Sequence, residues 1–167
     1  MKKVIYPGTF DPVTLGHLDI IKRALEVFGE VIVAVAKSPP KPTLFSYKER
    51  LVLLEKAIKG LKGVSIEGFD GLIVDFARKK KINVIIRGLR MLSDFEYEFQ
   101  MALTNRSLAY DIETIFLMSS PKYSYISSKF IKEIAFLGGD LAKFLPKIVI
   151  KELIKKINED SSRENKG

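Results

Sequence analysis

The side chains best suited to chemistry in this sequence are cations and hydroxyls, and they recur at separate points along the chain. They are Thr9, His17, Lys41, Arg87, Arg90, Ser127 and Ser128. Such groups bind phosphates, and phosphoryl or nucleotidyl transfer depends chiefly on positioning and on neutralising charge. The chain has no cysteine nucleophile and, with a single histidine, no paired histidines for zinc. The residue types therefore favour phosphate chemistry over acyl transfer.

The histidine lies in the stretch from Val4 to Arg23. A short apolar run is followed by prolines and a glycine, and apolar periodicity resumes at Leu18, which predicts a strand, a tight loop and a helix. Such a junction directs backbone N–H groups and the positive end of a helix dipole toward a bound phosphate. Gly16 leaves room for a ligand beside His17. A lone histidine in a first helical turn is more often a surface or capping residue, and this alternative stays open.

The remaining elements alternate between strand and helix. The first predicted strand starts at Val4, and the other four cover Glu30 to Ala36, Val64 to Glu67, Ile82 to Ile86 and Thr114 to Met118. Predicted helices begin at Leu18, Ser46, Asp70 or Gly71, Asp94, Ile126, Asp140 and Pro146, the one at Asp140 being short. This order predicts an α/β fold, a Rossmann-like, doubly wound, parallel five-stranded sheet with helices on both faces. Ligands bind such sheets beyond the carboxyl ends of the strands, where the candidate side chains lie.

The length of 167 residues suits one domain with a substantial core. We predict a single domain over residues 1–158 and a polar, disordered tail over 159–167. No apolar run reaches the roughly 18 residues of a membrane span, and Lys2 and Lys3 precede only a five-residue apolar run, so we expect neither a span nor a signal peptide. The lack of cysteine excludes disulfides and favours a cytoplasmic location.

The net charge is +8, from 28 basic and 20 acidic residues. A non-catalytic nucleic-acid-binding protein is one explanation of this charge. However, the lysines are spread along the chain, and it shows no helix-turn-helix, RNA-binding or zinc-finger pattern. A small anionic substrate explains the excess and also the phosphate-suited residues after the strands. We therefore expect no nucleic-acid partner.

Five blocks of the sequence carry the motifs of one known family. Thr14-Leu15-Gly16-His17 matches T/H-x-G-H, the signature of the nucleotidyltransferase superfamily. Phe45 to Arg50 is similar to F-T-L-E-E-R, Arg87 to Glu98 to R-G-L-R-x-x-x-D-F-E-Y-E, Tyr125 to Ser128 to an I-S-S-S stretch, and Gly138 to Pro146 to a segment near the end. In these blocks and their order the chain resembles the bacterial phosphopantetheine adenylyltransferases, a family of that superfamily. The chain departs from the family at Lys129, where the third serine is expected.

The resemblance implies adenylyl transfer from ATP to 4′-phosphopantetheine, with Mg²⁺ as cofactor and dephospho-coenzyme A and pyrophosphate as products. The acceptor phosphate attacks the α-phosphate in line and is already ionised, so no general base is required. The implied catalytic residues are His17, Lys41 and Arg90. The implied acceptor contacts are Thr9, Lys41, Leu72, Ile73 and Arg87. The implied ATP contacts are Thr9, Phe10, His17, Gly88, Leu89, Arg90, Glu98, Tyr123, Ser124, Tyr125, Ile126, Ser127, Ser128 and Lys129.

Simpler structural roles remain open for four of these residues. Ser127 suits a helix cap, Glu98 suits a solvated helix surface, and Leu72 and Ile73 at helical spacing suit core packing.

The resemblance also implies a homohexamer. The apolar content of the predicted helix from Phe95 to Leu108 exceeds one face, which is compatible with a subunit contact. A related nucleotidyltransferase that uses nicotinamide mononucleotide or a cytidylyl donor shares the T-x-G-H loop. The block from Arg87 to Glu98 favours phosphopantetheine over these alternatives.

Overall fold

The computed structural model describes residues 2–164, without the side chains of residues 92, 93 and 160–164. In this part of the chain five strands alternate with α-helices. The strands are β1 (Lys2–Gly8), β2 (Gly29–Ala36), β3 (Val64–Phe69), β4 (Val84–Leu89) and β5 (Glu113–Met118). The helices are α1 (Leu15–Phe28), α2 (Tyr47–Ala57), α3 (Ile73–Lys80), α4 (Leu92–Leu108), α5 (Ser128–Phe136) and α6 (Lys147–Glu164), with a 3₁₀ turn at Pro121–Tyr123.

The strands form one parallel sheet in the order β3-β2-β1-β4-β5. The chain builds the sheet outward from β1 through β2 to β3, then returns to the other side of β1 for β4 and β5. The order therefore reverses between β1 and β4, which is where a crevice for a ligand forms at the carboxyl ends of the strands. The predicted fold class is confirmed.

Two apolar cores lie on the two faces of the sheet. Because successive side chains of a strand point to opposite faces, Val4 and Tyr6 join the larger core and Ile5 joins the smaller one. The larger core packs α1 and α2 against the sheet and also includes residues of α5 and α6, which pack against each other. The smaller core includes Val74 and Ala77 of α3. Burial on both faces explains why the inner strands read as continuous apolar runs.

The fourth strand continues further than the sequence predicts. Arg87, Gly88 and Leu89, which the sequence places in a loop, pair with residues Phe116 to Met118 of β5. Gly88 permits this close packing, because a Cβ there would lie 3.0 Å from Cγ1 of Ile20 on α1. Arg87 therefore projects from within a paired strand, which is a more rigid base than a loop.

The chain after residue 136 differs from the prediction in two places. The last helix continues to Glu164, into the segment predicted to be a tail, and residues 165–167 lie outside the described part. Lys155 and Glu159, one helical turn apart, lie 3.8 Å from each other and support this extension. The short helix predicted at Asp140 is a turn, in which the Asp140 carboxylate accepts a hydrogen bond from the Ala142 amide. None of the described helices combines the length and apolarity that crossing a bilayer requires.

Candidate active site

Three hydrogen bonds from side chains to backbone carbonyls join the elements that meet at the carboxyl edge of β1 and β4. Arg87 Nη1 donates to the Pro7 carbonyl oxygen at 3.0 Å, which ties β4 to β1. Arg90 Nη1 donates to the Ile126 carbonyl oxygen at 2.8 Å, which ties the end of β4 to the segment before α5. Ser128 Oγ donates to the Pro12 carbonyl oxygen at 2.9 Å, which ties α5 to the loop after β1. The structure thus brings together the predicted site residues that follow β1, those at the end of β4 and those that follow β5.

His17 is the third residue of α1 and takes part in the cap of that helix. The Thr14 hydroxyl accepts a hydrogen bond from the His17 amide at 3.2 Å, and His17 Nδ1 accepts one from the Thr14 amide at 3.0 Å. This is a capping box in which histidine takes the position usually held by glutamate or glutamine. The helix therefore begins at Leu15, three residues before the predicted start, and the capping alternative for His17 is confirmed.

The cap also decides where the imidazole carries its proton. A backbone N–H can only donate, so Nδ1 must be unprotonated and the neutral ring must carry its hydrogen on Nε2. Burial, followed by the charges of Arg90 and Arg87, lowers the pKa of His17 from 6.5 to about 4. Near neutral pH, His17 is therefore an uncharged ring with one N–H donor on Nε2.

The Phe10 ring supports the imidazole from the core side. Phe10 is 2% exposed, and its ring packs edge-on against His17 with 5.0 Å between ring centroids. Gly8 makes room for this ring, because a Cβ at that position would lie 2.9 Å from it. The predicted contact of Phe10 with ATP is therefore restricted to its backbone.

Arg87 and Arg90 are oriented by the same pattern of hydrogen bonds as each other. Arg87 donates from Nε and Nη2 to Glu98 at 2.6 and 2.5 Å, and Arg90 donates from Nε and Nη2 to Asp94 at 2.9 and 3.0 Å. Both carboxylates belong to α4, and in both guanidinium groups Nη1 donates to a backbone carbonyl. A guanidinium has five N–H donors, so each arginine keeps two for a ligand. The carboxylates orient the arginines without using all of their donors.

The ion pair also keeps Arg87 charged. Burial disfavours its charged form, but the hydrogen bonds and negative charge of Glu98 outweigh this effect and raise the pKa of Arg87 above its ordinary value. Glu98 is 9% exposed, so the alternative of a solvated surface residue is wrong. Its bidentate pairing makes it an orienting group for Arg87 in this structure.

The N-terminus of α5 adds backbone donors to the same edge. Ser127 caps the helix by accepting the Phe130 amide at 3.1 Å, which confirms the capping alternative. The Ser128 hydroxyl is already used in its bond to Pro12. The hydroxyl hydrogen of Ser127 and the amides of the first turn are the groups best placed to meet an anion here. Lys129 is exposed beside them.

The other predicted acceptor contacts lie toward β2 and β3. Lys41 is exposed in the loop after β2, and the Thr9 carbonyl accepts a hydrogen bond from Arg50 at 2.7 Å. Leu72 precedes the first turn of α3 and is 52% exposed, so core packing is wrong for this residue. Ile73 packs against the smaller core, as its structural alternative predicted.

Comparison with known proteins places the chain in a family. Residues 5–134 match the model of the cytidylyltransferase-like family. The phosphopantetheine adenylyltransferase of Caldanaerobacter subterraneus is 54% identical over 95% of this chain and 99% of its own length. The enzyme of the same name from Desulfitobacterium hafniense (strain Y51) is 57% identical over 96% of this chain and 98% of its own length. The chain belongs to the phosphopantetheine adenylyltransferase family. It is thus a nucleotidyltransferase of the family that forms dephospho-coenzyme A in coenzyme A biosynthesis.

Solved structures support the fold of this phosphopantetheine adenylyltransferase family member. A nicotinic acid mononucleotide adenylyltransferase from Plasmodium falciparum superposes with a TM-score of 0.68 at 17% identity, over 93% of this chain and 96% of that one. At this identity the likeness concerns the fold alone.

Other residues that the family resemblance assigns to ATP differ in accessibility. Leu89 and Ile126 are 8% and 3% exposed, so their side chains contribute to the core and only their backbones face the site edge. Gly88 lies within β4. Tyr123, Ser124 and Tyr125 form the 3₁₀ turn and the segment after it, and Tyr125 is 52% exposed.

Sequence reasoning missed three charged residues that build this candidate site. Asp94 orients Arg90, and its spacing of four residues from Arg90 was a usable signal. Asp11 is 5% exposed and binds Lys132 of α5 at 2.6 Å. Arg50 is 1% exposed, and its alignment with the buried residues Leu53 and Leu54 on α2 signalled that it faces inward.

Proposed function

We propose that this site transfers the adenylyl group of ATP to the phosphate of 4′-phosphopantetheine. An oxygen of the acceptor phosphate forms a bond to the α-phosphorus while the bond to the bridging oxygen breaks, and the electron pair leaves with pyrophosphate. The observation that carries the proposal is the imidazole of His17, fixed by its cap as a neutral Nε2–H donor in the field of Arg87 and Arg90. Such a site stabilises charge and does not abstract protons.

The proposed role of His17 is to donate from Nε2 to a non-bridging oxygen of the α-phosphate. Negative charge on that oxygen increases as the five-coordinate transition state forms. A preorganised donor aimed at the oxygen therefore lowers the barrier. A neutral donor suits this position, because it needs no proton from solvent at working pH.

Pyrophosphate is proposed to bind between Arg90 and the first turn of α5. Arg90 offers two N–H groups, and Ser127 with the amides of that turn offers further donors. The remaining ATP contacts implied by the family would lie along the same edge, except Glu98, whose carboxylate orients Arg87.

The acceptor phosphate is proposed to bind near Thr9, Lys41 and Arg87. The pantetheine arm would then extend past Leu72 and Ile73 at the start of α3. The half-exposed side chain of Leu72 supports this direction, because an exposed leucine beside a polar edge offers apolar contact to an uncharged chain.

Mg²⁺ is proposed to arrive as part of the ATP complex. Among the described residues, no cluster of three or more histidine, cysteine or carboxylate groups is arranged to hold a metal ion. The carboxylates nearest the site are each paired with a cation, namely Glu98 with Arg87, Asp94 with Arg90 and Asp11 with Lys132. The donor set therefore does not fit a resident ion, whereas Mg²⁺ commonly binds nucleotide phosphates and keeps several waters.

A homohexamer in the cytoplasm is proposed as the working form. Helix α4 carries large apolar side chains on its solvent side, including Phe95 at 43%, Phe99 at 46% and Leu103 at 54% exposure. The Phe95 and Phe99 rings stack with 5.5 Å between centroids, so they form one continuous patch. Light scattering should give the hexamer mass at micromolar concentration, and Leu103→Lys should lower it. A monomer mass for the wild type would contradict the assembly.

The reaction is tested by measuring pyrophosphate release with ATP and 4′-phosphopantetheine. Release should require this acceptor and should be absent with nicotinamide mononucleotide, which tests the alternative nucleotidyltransferase. Purified His17→Ala protein, treated in parallel, controls for contaminating activity. A salt-titrated electrophoretic shift assay tests the nucleic-acid alternative. Release with nicotinamide mononucleotide but not with 4′-phosphopantetheine would overturn the proposal.

A further inference from the structure

Arg50 of α2 holds the start of the loop that carries Lys41, the lysine proposed to bind the phosphate of 4′-phosphopantetheine. We name residues 37–45 the Lys41 loop. Arg50 Nη1 donates to the Ala36 carbonyl at 2.9 Å, and Nη2 donates to the Lys37 carbonyl at 3.3 Å. The same Nη1 donates to the Thr9 carbonyl at 2.7 Å. One guanidinium therefore joins the end of β2, the start of the Lys41 loop and the loop after β1.

Asp11 fastens the other end of the Lys41 loop. Its two carboxylate oxygens accept hydrogen bonds from the Leu44 and Phe45 amides at 3.0 and 2.9 Å. Lys132 of α5 pairs with the same carboxylate at 2.6 Å. Because Asp11 belongs to the loop after β1, both ends of the Lys41 loop are fixed to that one loop.

The sequence of the Lys41 loop makes these two attachments sufficient to place Lys41. Pro39, Pro40 and Pro42 surround it, and each proline ring fixes one backbone dihedral angle. Residues before a proline are also restricted to extended conformations. A short, stiff segment held at both ends leaves its middle residue little freedom relative to Thr9.

The burial of the two fastening residues is costly and therefore calls for a reason. Arg50 is 1% exposed and forms no ion pair with any residue in the described part of the chain, and burial lowers its pKa from the ordinary value. Its Nε is buried without a hydrogen-bond partner among the same residues. An apolar side chain of similar volume would avoid these costs. Arg50 instead supplies a planar guanidinium group that donates hydrogen bonds to three carbonyl oxygens.

We propose that Arg50 and Asp11 are positioning residues, which fix the Lys41 loop against the loop after β1 and thereby place the Lys41 ammonium for the acceptor phosphate. The inference rests on the proposed function and deepens it. It separates the two substrates: the Lys41 loop serves the acceptor phosphate, so loosening it should weaken acceptor binding more than ATP binding.

The test is a double-mutant cycle between Arg50 and Lys41. Kinetics are measured for wild type, Arg50→Met, Lys41→Met and the double variant, with KM determined for each substrate. Methionine keeps the aliphatic volume and removes the charge. Arg78→Met is the control for removing an arginine charge, because the exposed Arg78 donates from Nε and Nη2 to one oxygen of Asp111 at 3.2 and 2.7 Å and lies at the opposite end of the sheet.

Arg50→Met should raise KM for 4′-phosphopantetheine by about tenfold or more, while KM for ATP changes by less than about threefold. In the Lys41→Met background the same change should add little, because its effect passes through Lys41. Arg78→Met should leave both KM values unchanged. If Arg50→Met does not fold, Arg50→Lys, which keeps the charge without the planar fork, replaces it in the cycle.

Hydrogen exchange gives a readout that does not depend on turnover. In Asp11→Asn and in the Arg50 variant, exchange should rise at Leu44 and Phe45 and in the rest of the Lys41 loop, while strand amides keep their protection. Uniformly faster exchange would show that the two residues serve folding alone and would overturn the inference. The same conclusion would follow if the Arg50 and Lys41 substitutions lowered activity additively while KM for 4′-phosphopantetheine stayed unchanged. A wild-type protein without acceptor-dependent pyrophosphate release would instead overturn the proposed function.

Discussion

The two sides of the site are held by different physical means. On the β1 side, His17 is oriented by uncharged hydrogen bonds within a helix cap and by the packed Phe10 ring. On the β4 side, Arg87 and Arg90 are oriented by carboxylates of α4. The first side is neutral and complete before a ligand arrives. On the second side the positive charge is partly offset by Asp94 and Glu98, and substrate phosphates meet the two N–H donors that each arginine keeps.

This difference indicates how binding and chemistry are divided. A fixed neutral donor acts most strongly where charge develops in the transition state, so changes on the β1 side should lower turnover. Arginines that already carry counter-charges contribute to ground-state binding of phosphates, so changes on the β4 side should raise Michaelis constants.

The largest effect is expected from His17→Ala. Removing one preorganised donor to a transition-state oxygen typically lowers kcat by about 10²–10³-fold. Michaelis constants for ATP and 4′-phosphopantetheine should change much less, and circular dichroism should show an intact fold. Near-normal kcat with greatly weakened ATP binding would make His17 a binding residue and remove the distinction between the two sides. Loss of the fold would leave only the capping role.

The next largest effect is expected from the two arginines, and it should differ in kind between them. Arg87→Ala should raise KM chiefly for 4′-phosphopantetheine and Arg90→Ala chiefly for ATP, each by roughly tenfold to a hundredfold, as for hydrogen bonds to charged groups. Because Arg87→Ala leaves Glu98 buried without its cation, the double variant with Glu98→Gln is the control. Equal rises in both constants would mean that the arginines form one shared clamp.

A smaller effect concerns stability and pH. The pKa of His17 is about 4 in the folded protein and 6.5 ordinarily, so between these values the unfolded chain binds more protons. The contribution of His17 to the free energy of unfolding is therefore complete above about pH 6.5 and is lost as the pH falls toward 4. Urea unfolding at several pH values should show a steeper decline for wild type than for His17→Gln. Parallel declines would contradict burial of a neutral ring.

The smallest effect is expected from removing residues 160–167. The segment contains no apolar residue, and among the residues of α6 whose side chains the structure describes, Ile157 is the last that joins the core. Turnover and melting temperature should match those of the full chain. A large loss of either would show that the end of α6 contributes to folding or to the site.

Much of the fold was predictable because its signals are local. Apolar runs marked β1, β2, β4 and β5, and Ser46 with Glu49 marked the start of α2 through a capping box that the structure confirms. The end of β4 was not predictable from periodicity, because Arg87 and Gly88 interrupt the apolar run although their backbones still pair with β5. The end of α6 was missed because a polar composition fits a solvated helix as well as disorder.

The site was predictable where one residue type implies one chemistry, and less so where partners decide the role. The arginines and His17 could be named from their position after strands. The pairing of Glu98 with Arg87, and the inward direction of Arg50, depend on contacts between elements far apart in the chain. Local sequence carries little information about such contacts.

The central claim is that His17 is a neutral Nε2–H donor set by its cap, and nitrogen NMR tests it most directly. Since the chain has one histidine, ¹⁵N labelling of histidine gives a spectrum without overlap. The ligand-free protein should show an unprotonated Nδ1 and a protonated Nε2 at pH 7, with a titration midpoint near 4. Arg90→Ala should move the midpoint upward, because the charge of Arg90 contributes to the shift. A proton on Nδ1, or a wild-type midpoint near 6.5, would contradict the account.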